Sequence, residues 1–274
     1  MEVIVVDDVS ADETCAVMER LVSQDDRVKL LRRETNGGPS AARNQAIEAA
    51  AGDWIAILDA DDAYARGRFA PLLELARDHL ADMVADNLVY YDAKNETALG
   101  PSIHPEPPIQ QVSLEKLFRS TPTGGRDYVT LKPLIRRSFL QENDITYDET
   151  IRNGEDFDLY AKCLVAGASF MADLSAMTYL YTTRDSGTSQ TTISDRVNIR
   201  QTRKWFNHPA FRENPEREAL VRARLDILRR RELDRGDGGA PLHRKLGKLL
   251  LALRSRAGRQ WLMDRLRSRD GIPT

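Results

Sequence analysis

With 274 residues, 41% hydrophobic, 30% charged and a net charge of −2, the chain has the ordinary balance of a soluble globular protein, as one domain with an appendage or two small domains. Its apolar runs fall short of the roughly 20 residues that a membrane-spanning helix needs, and no charged-then-apolar signal segment opens it. Cys15 and Cys163, lying among apolar residues without metal spacing, point to reduced, buried thiols and a cytoplasmic setting, not to a disulfide scaffold.

Glu2 to Val6 is a short β-branched run closed by Asp7-Asp8, and it predicts a buried strand. Ser10 and Glu13 have the spacing of a capping box for a helix over Thr14 to Val22. Val28 to Leu31 predicts a second strand. Asn36-Gly37-Gly38-Pro39 is a turn cluster. An alanine-rich helix over Ser40 to Ala50 follows, with Gly52 as its C-terminal cap. Trp54 to Leu58 predicts a third strand running into Asp59-Ala60-Asp61-Asp62. Then come a helix over Arg66 to His79 and a strand over Met83 to Tyr90. This alternation predicts a mostly parallel sheet covered on both faces. In such sheets ligands gather beyond the carboxyl ends of the strands, and both acidic clusters sit at such ends.

Ala93 to Gln111, rich in proline and polar residues, predicts an irregular connection. Short helices are expected over Ser113 to Arg119 and Arg136 to Asn143. A longer one begins at Asn153 or Gly154 and ends near Gly167. Ser169 to Ala172 and Met177 to Tyr181 read as short strands. From Ile193 the chain reads as helical, with Leu220, Leu225 and Leu228 at helical spacing, a break at Gly236 to Pro241 and a last helix over Leu242 to Arg267. The net charge hides an asymmetry: from Arg200 onward there are about 20 Lys/Arg against about 9 Asp/Glu. Arg229-Arg230-Arg231 and the stretch from Arg244 to Leu251 set basic residues beside apolar ones. That pattern suits an anionic membrane surface or a helical tail packed on the catalytic domain. No nucleic-acid recognition module is visible.

Five constellations can carry chemistry. Asp59-Ala60-Asp61 puts two carboxylates in an extended turn after an apolar strand. There they can converge on one hard cation, Mg²⁺ or Mn²⁺, shared with substrate phosphates and water. Such a cation neutralises charge building on a leaving group. The plain alternative is a solvated turn with helix-capping aspartates. Asp7-Asp8 can accept hydrogen bonds from a ribose or a base edge, or it is a cap. No glycine-rich dinucleotide loop follows that strand, which argues against a nicotinamide or flavin enzyme. Asn36 to Asn44 sets glycines before a helix start, where backbone N–H groups can meet an anion. Arg43 can offer its planar fork to a phosphate or a base, or be solvated. Glu155-Asp156 in a first helical turn either complements the helix dipole or supplies a general base for an acceptor hydroxyl. Arg184 to Ser189 is a polar loop able to fold over a diphosphate, or a surface loop.

Together these residues resemble the family 2 glycosyltransferases of the GT-A fold. EVIVVDDVSADET at 2–14 is similar to that family's second strand and turn. NGGPSAARNQAIEAAAGDWIAILDADD at 36–62 is similar to its signature segment, and NGEDFDLYAKCLVAGA at 153–168 to its acceptor-side segment. YVTLKPLIRRSFL resembles, more narrowly, glycosyltransferases of succinoglycan-type exopolysaccharide assembly. The resemblance implies an α/β fold with a Rossmann-like mixed sheet at 1–190 and a basic helical extension at 191–274. It implies an inverting hexosyltransferase that takes a UDP-sugar donor and a saccharide or polyprenyl-linked acceptor, with Mg²⁺ or Mn²⁺, in the cytoplasm or at the inner face of the membrane. Residue by residue, Asp8 would contact uridine and Arg43 would lie near the nucleotide. Asp59 and Asp61 would form the Asp-x-Asp motif, with Asp61 the chief metal ligand. Asp156 would be the base and Glu155 its neighbour or substitute.

Two departures matter. The family begins with a strand and helix before the segment that opens this chain, and that strand is central in the sheet. Its absence would leave ladder hydrogen bonds unmade. The expectation is that Met1 is an internal methionine; a stop codon just upstream in the coding DNA would contradict it. The second departure is Arg184, where many relatives carry a histidine. An arginine cannot ligate a metal but can pair with a diphosphate. The rivals are a nucleotidyltransferase, which would show a glycine-rich basic loop that is absent here, and a non-catalytic fragment or binding module. Gln201-Thr202-Arg203-Lys204-Trp205 resembles the Gln-x-x-Arg-Trp motif of processive synthases only by coincidence.

Overall fold

β1 (Val3–Asp7) and β2 (Val28–Arg32) pair in parallel, from Val3 opposite Val28 to Asp7 opposite Arg32. The computed structural model describes residues 1–104, 107–120, 127–183 and 195–235. The chain divides into two units, Met1–Ser189 and Gln190–Thr274. In the first, α1 (Thr14–Gln24) connects β1 to β2, and α2 (Gly38–Ala49) leads from β2 to β3 (Trp54–Ala56). There follow β4 (Ala63–Tyr64), α3 (Phe69–Asp78), β5 (Met83–Asp92), β6 (Thr97–Pro101), β7 (Ile109–Gln111), α4 (Leu114–Phe118), β8 (Leu134–Arg136), α5 (Arg137–Glu142), α6 (Glu155–Val165) and β9 (Phe170–Thr183).

The second sheet runs β3-β8-β5-β9-β4, with β6 on β5 and β7 on β9. Within it only β5 and β9 pair in parallel. The expected mostly parallel sheet is therefore mixed. β6 folds straight back on β5, and such a short connection allows only antiparallel pairing. β8 then enters antiparallel between β3 and β5. β6 and β7 also replace the irregular connection expected over Ala93 to Gln111, since edge strands tolerate the proline and polar residues that masked them. The two strands expected at Ser169 to Ala172 and Met177 to Tyr181 are one, β9. Its register against β5 shifts at Asn87, and there Ser175 turns back on the Asp173 carboxylate.

α3 lays Leu72, Leu75 and Ala76 against Val84 and Leu134, with Trp54 and Phe69 packed beside them. α6 buries Phe157, Tyr160 and Cys163; Phe157 meets Phe118 edge-to-face at 5.0 Å. Each such side chain contributes roughly 1.5–3 kcal/mol when fully buried. α1 differs: it has no buried residue, and Val17 and Leu21 are exposed. Cys15 is accordingly half-buried, whereas Cys163 is buried as expected. The capping box does not form. Ser10 donates its N–H to Asp7, and Thr14 donates to Asp12, so nearer carboxylates take the donors. Gly52 is not a helix cap either. α2 ends at Ala50 in an extended conformation, and Gly52 N–H donates to Glu2.

The two sheets do not join. β1 pairs only with β2, and β3 only with β8, among the described residues. Glu2 Oε1, at the start of β1, accepts from Ala51 N at 2.7 Å and Gly52 N at 3.1 Å, just before β3.

In the second unit, α7 (Asp195–Lys204), a 3₁₀ turn (Trp205–Asn207) and α8 (Pro215–Arg235) pack together. Trp205 and Phe211 are buried with centroids 5.1 Å apart. Val221, Leu225 and Leu228 form the buried stripe of α8. No helix among the described residues is long and apolar enough to cross a membrane. The expected break at Gly236 to Pro241, the last helix and the basic stretch from Arg244 lie outside the described residues.

Candidate active site

Beyond the carboxyl end of β1, Asp8 turns back on the start of α2. Its carboxylate accepts from Gly37 N at 2.8 Å and Gly38 N at 2.6 Å and pairs with Arg33 Nε at 3.0 Å. The helix-start amides expected to meet a foreign anion are met by this residue of the chain itself. Gly38 has φ +79°, a left-handed conformation costly for any residue with a Cβ, and the Arg152 guanidinium covers the space a Cβ would enter.

One turn into α2, Arg43 is the first of two cations at the centre of the site. Its Nη2 donates to Asp59 Oδ1 at 2.6 Å and its Nη1 to Glu155 Oε1 at 2.8 Å, with Asp156 Oδ1 at 3.5 Å. The guanidinium lies 5.4 Å from the centroid of the Tyr147 ring. The second cation is Lys132, on the loop into β8. Its Nζ bridges Asp59 Oδ2 at 2.8 Å and Asp156 Oδ2 at 2.6 Å, with 5% of the side chain exposed. Tyr147 Oη donates to Asp156 Oδ1 at 3.2 Å. Burial pushes the Asp59 carboxyl up, but Lys132 and Arg43 more than offset it and hold the group at about 2. Burial likewise works against the Lys132 ammonium, and Asp156 and Asp59 hold it above the ordinary lysine range.

The turn after β3 distributes its three aspartates differently. Asp59 belongs to the cluster just described. Asp62 accepts from Tyr179 Oη at 2.6 Å and Thr182 N at 2.9 Å. Burial shifts its carboxyl upward, with those two hydrogen bonds opposing. Asp61 is half-buried and has no hydrogen-bond or ion-pair partner among the described residues. Two cations thus face three carboxylates in the cluster. A diphosphate cannot join such a balance without more positive charge. Mg²⁺ and Mn²⁺ are held through one or two carboxylates plus phosphate oxygens and water, and the unengaged Asp61 fits that donor set. No cluster of three or more metal-binding side chains occurs among the described residues.

Of the residues singled out in the sequence, Arg43, Asp59, Glu155 and Asp156 meet in one cluster. Asp61 takes no part in its ion pairs, Asp8 caps α2, and Arg184 lies outside the described residues. Lys132 and Tyr147 were not singled out. A lysine inside the apolar run Val129 to Ile135 was a usable signal, because a lysine is seldom buried unless paired. Tyr147 carried none.

The sequence profile of Glycosyl transferase family 2 matches residues 1–143. The chain is 38% identical over 174 residues to the succinoglycan biosynthesis protein ExoU of Rhizobium meliloti, covering 62% of this chain and 50% of that one. It is 34% identical over 203 residues to ExoO of the same organism, covering 72% and 56%. The chain therefore spans about half the length of the curated relatives it matches. Among solved structures, S. aureus TarS 1–349 in complex with UDP-GlcNAc superposes with a TM-score of 0.63 at 19% identity, over 98% of this chain and 83% of that one. Its complex with UDP gives 0.62 at 19% identity, over 97% and 73%. At that identity the likeness concerns the mixed α/β fold.

Proposed function

This chain belongs to glycosyl transferase family 2, and from that premise we propose that it is an inverting hexosyltransferase. It moves a hexose from a UDP-sugar to a saccharide or lipid-linked saccharide acceptor in exopolysaccharide or cell-surface glycan synthesis. The observation that carries this reading is the Lys132 bridge between Asp59, at the end of β3, and Asp156, in the first turn of α6. It brings the candidate donor turn and the candidate base within one side chain of each other. The succinoglycan role of ExoU and ExoO supports the polysaccharide setting. The UDP and UDP-GlcNAc complexes of TarS support a UDP-sugar donor.

In this reading Asp156 accepts the proton of the acceptor hydroxyl as that oxygen bonds to the anomeric carbon. The bond from that carbon to the diphosphate oxygen breaks, UDP leaves with the electron pair, and a single displacement inverts the configuration. Tyr147 and Lys132 orient the Asp156 carboxylate, and Arg43 fixes Glu155 beside it. A divalent cation held by Asp61, with Asp59 adjacent, would neutralise charge on the departing diphosphate. Asp61→Ala is expected to raise the Mn²⁺ concentration for half-maximal UDP release by roughly 10- to 100-fold. An unchanged Mn²⁺ titration would remove Asp61 from the metal role. A polyprenyl-linked acceptor would bring the reaction to the inner face of the membrane, where the basic stretch from Arg244 would meet anionic headgroups.

The open edges of β1 and β3 favour a second reading, in which the chain alone is only a partial catalytic unit. A further strand on either edge would satisfy ladder hydrogen bonds that are unmade there. A form of the protein with an added N-terminal strand-forming segment tests this. The expected result is a higher Tm and faster UDP release; no change in either would dismiss the partial-unit reading.

A further inference from the structure

Beneath the site lies a buried ion pair that no step above uses. Arg68, at the start of α3, and Asp86, in β5, are each 1% exposed in their side chains. Arg68 Nε donates to Asp86 Oδ1 at 3.0 Å and its Nη2 to the Lys132 carbonyl at 2.6 Å. Asp86 Oδ2 accepts from Thr178 N at 2.8 Å and from the Thr178 hydroxyl. The guanidinium lies 4.4 Å from the Tyr64 ring centroid and 5.3 Å from that of Tyr179. Both rings reach the aspartate turn. Tyr64 Oη donates to the Ile57 carbonyl at 2.7 Å, and Tyr179 Oη donates to Asp62.

One side chain therefore touches three parts that bear on the cluster: the backbone of Lys132, the rings that bond to the 57–62 turn, and through Asp86 the Thr178 segment of β9. An arginine alone can do this. Its planar fork donates in two fixed directions while its faces stay free for aromatic contact, and a lysine offers a single point charge. A fully buried arginine is rare and costs desolvation that pairing must offset. An apolar residue would fill the same volume without that cost, so packing alone does not account for it.

We infer that Arg68 is a positioning residue that sets the height of Lys132, and so holds Asp59 and Asp156 at their spacing. The inference builds on the proposed function, but its test needs no donor. Lys132 is buried between two carboxylates with 5% of its side chain exposed, so a reagent reaches its Nζ only when the loop that carries it opens. The experiment measures acetic anhydride labelling of Lys132 by mass spectrometry in wild type, Arg68→Met and Arg68→Lys, with Lys162 as internal control. Arg68→Lys keeps a cation beside Asp86 but cannot also reach the Lys132 carbonyl. The expected result is cooperative unfolding in Arg68→Lys with Lys132 labelled on the order of tenfold faster, because its loop opens more often, and Lys162 unchanged. Wild-type labelling in a folded Arg68→Lys would overturn the inference. So would failure of both variants to fold, which would make Arg68 a folding residue only. A chain that turns over no UDP-sugar would sink the proposed function and leave the labelling result standing.

Discussion

Asp156→Asn is expected to lower UDP-sugar turnover by roughly 10²–10⁴-fold, the range that a positioned general base contributes. The substitution is nearly isosteric. The amide oxygen can still accept from Tyr147 Oη, 3.2 Å away in the parent, and the α6 start at Gly154, with φ +80°, is untouched. What is lost is the ability to take a proton, together with one arm of the Lys132 bridge. The loss should fall on kcat, with donor KM moving little, because the carboxylate acts on the acceptor hydroxyl only as the bond forms. Glu155→Gln serves as comparison. Glu155 pairs with Arg43 and not with Lys132, so its removal should cost much less. The measurement is UDP release with water as acceptor. Equal losses at the two positions would mean that either carboxylate, or neither, is the base.

Lys132→Met is expected to have the largest effect on stability. Its ammonium is buried between Asp59 and Asp156, and without it Asp59 is left to Arg43, and Asp156 to Arg43 and the Tyr147 hydroxyl. Removing one partner of a buried ion pair costs about 3–5 kcal/mol, which at this chain length lowers Tm by roughly 6–20 °C. A pH signature accompanies it. In the folded protein burial opposes ionisation of Asp59, but Lys132 and Arg43 hold its carboxyl at about 2, against 3.8 for the free group. A depressed carboxyl stabilises the fold fully above its unfolded value and loses that contribution as pH falls through its folded one. Asp59 therefore contributes on the order of 2 kcal/mol above pH 4, and this fades between about pH 4 and pH 2. In Lys132→Met the fading starts at the same pH, ends at higher pH and is smaller, because only the folded value of Asp59 moves up. Urea midpoints from pH 2 to pH 7 read both effects. Parallel curves for the two proteins would show that Lys132 does not hold Asp59 ionised.

The fold was legible where periodicity and punctuation agree. β1, α2, β3, α3 and α6 follow from apolar runs bounded by aspartates, glycines or a cap. The cross-strand order was not, because β8 enters between β3 and β5 through contacts some 50 to 80 residues apart, which no local pattern encodes. β6 and β7 were masked by the residues that suit edge strands. The site was half legible. Arg43, Asp59, Glu155 and Asp156 announced themselves as charges at element ends, and they meet. Asp8 announced itself in the same way, yet it is occupied by the Gly37 and Gly38 amides. Lys132, Tyr147 and Arg68 were hidden because each draws its role from a partner far along the chain: Asp59, Arg43 and the Lys132 carbonyl in turn.

The central claim is that the Asp59–Lys132–Asp156 cluster transfers a sugar from a nucleotide donor. UDP release tests it most directly, measured across a panel of UDP-sugars with Mn²⁺ for wild type, Asp61→Ala and Asp156→Asn, each with and without the added N-terminal strand. The wild type is expected to release UDP from at least one UDP-sugar in one of its two forms, with Asp156→Asn slower by roughly 10²–10⁴-fold and Asp61→Ala needing roughly 10- to 100-fold more Mn²⁺. Release that is equal in all three proteins at every Mn²⁺ concentration, or none from either form of the wild type, would contradict this assignment.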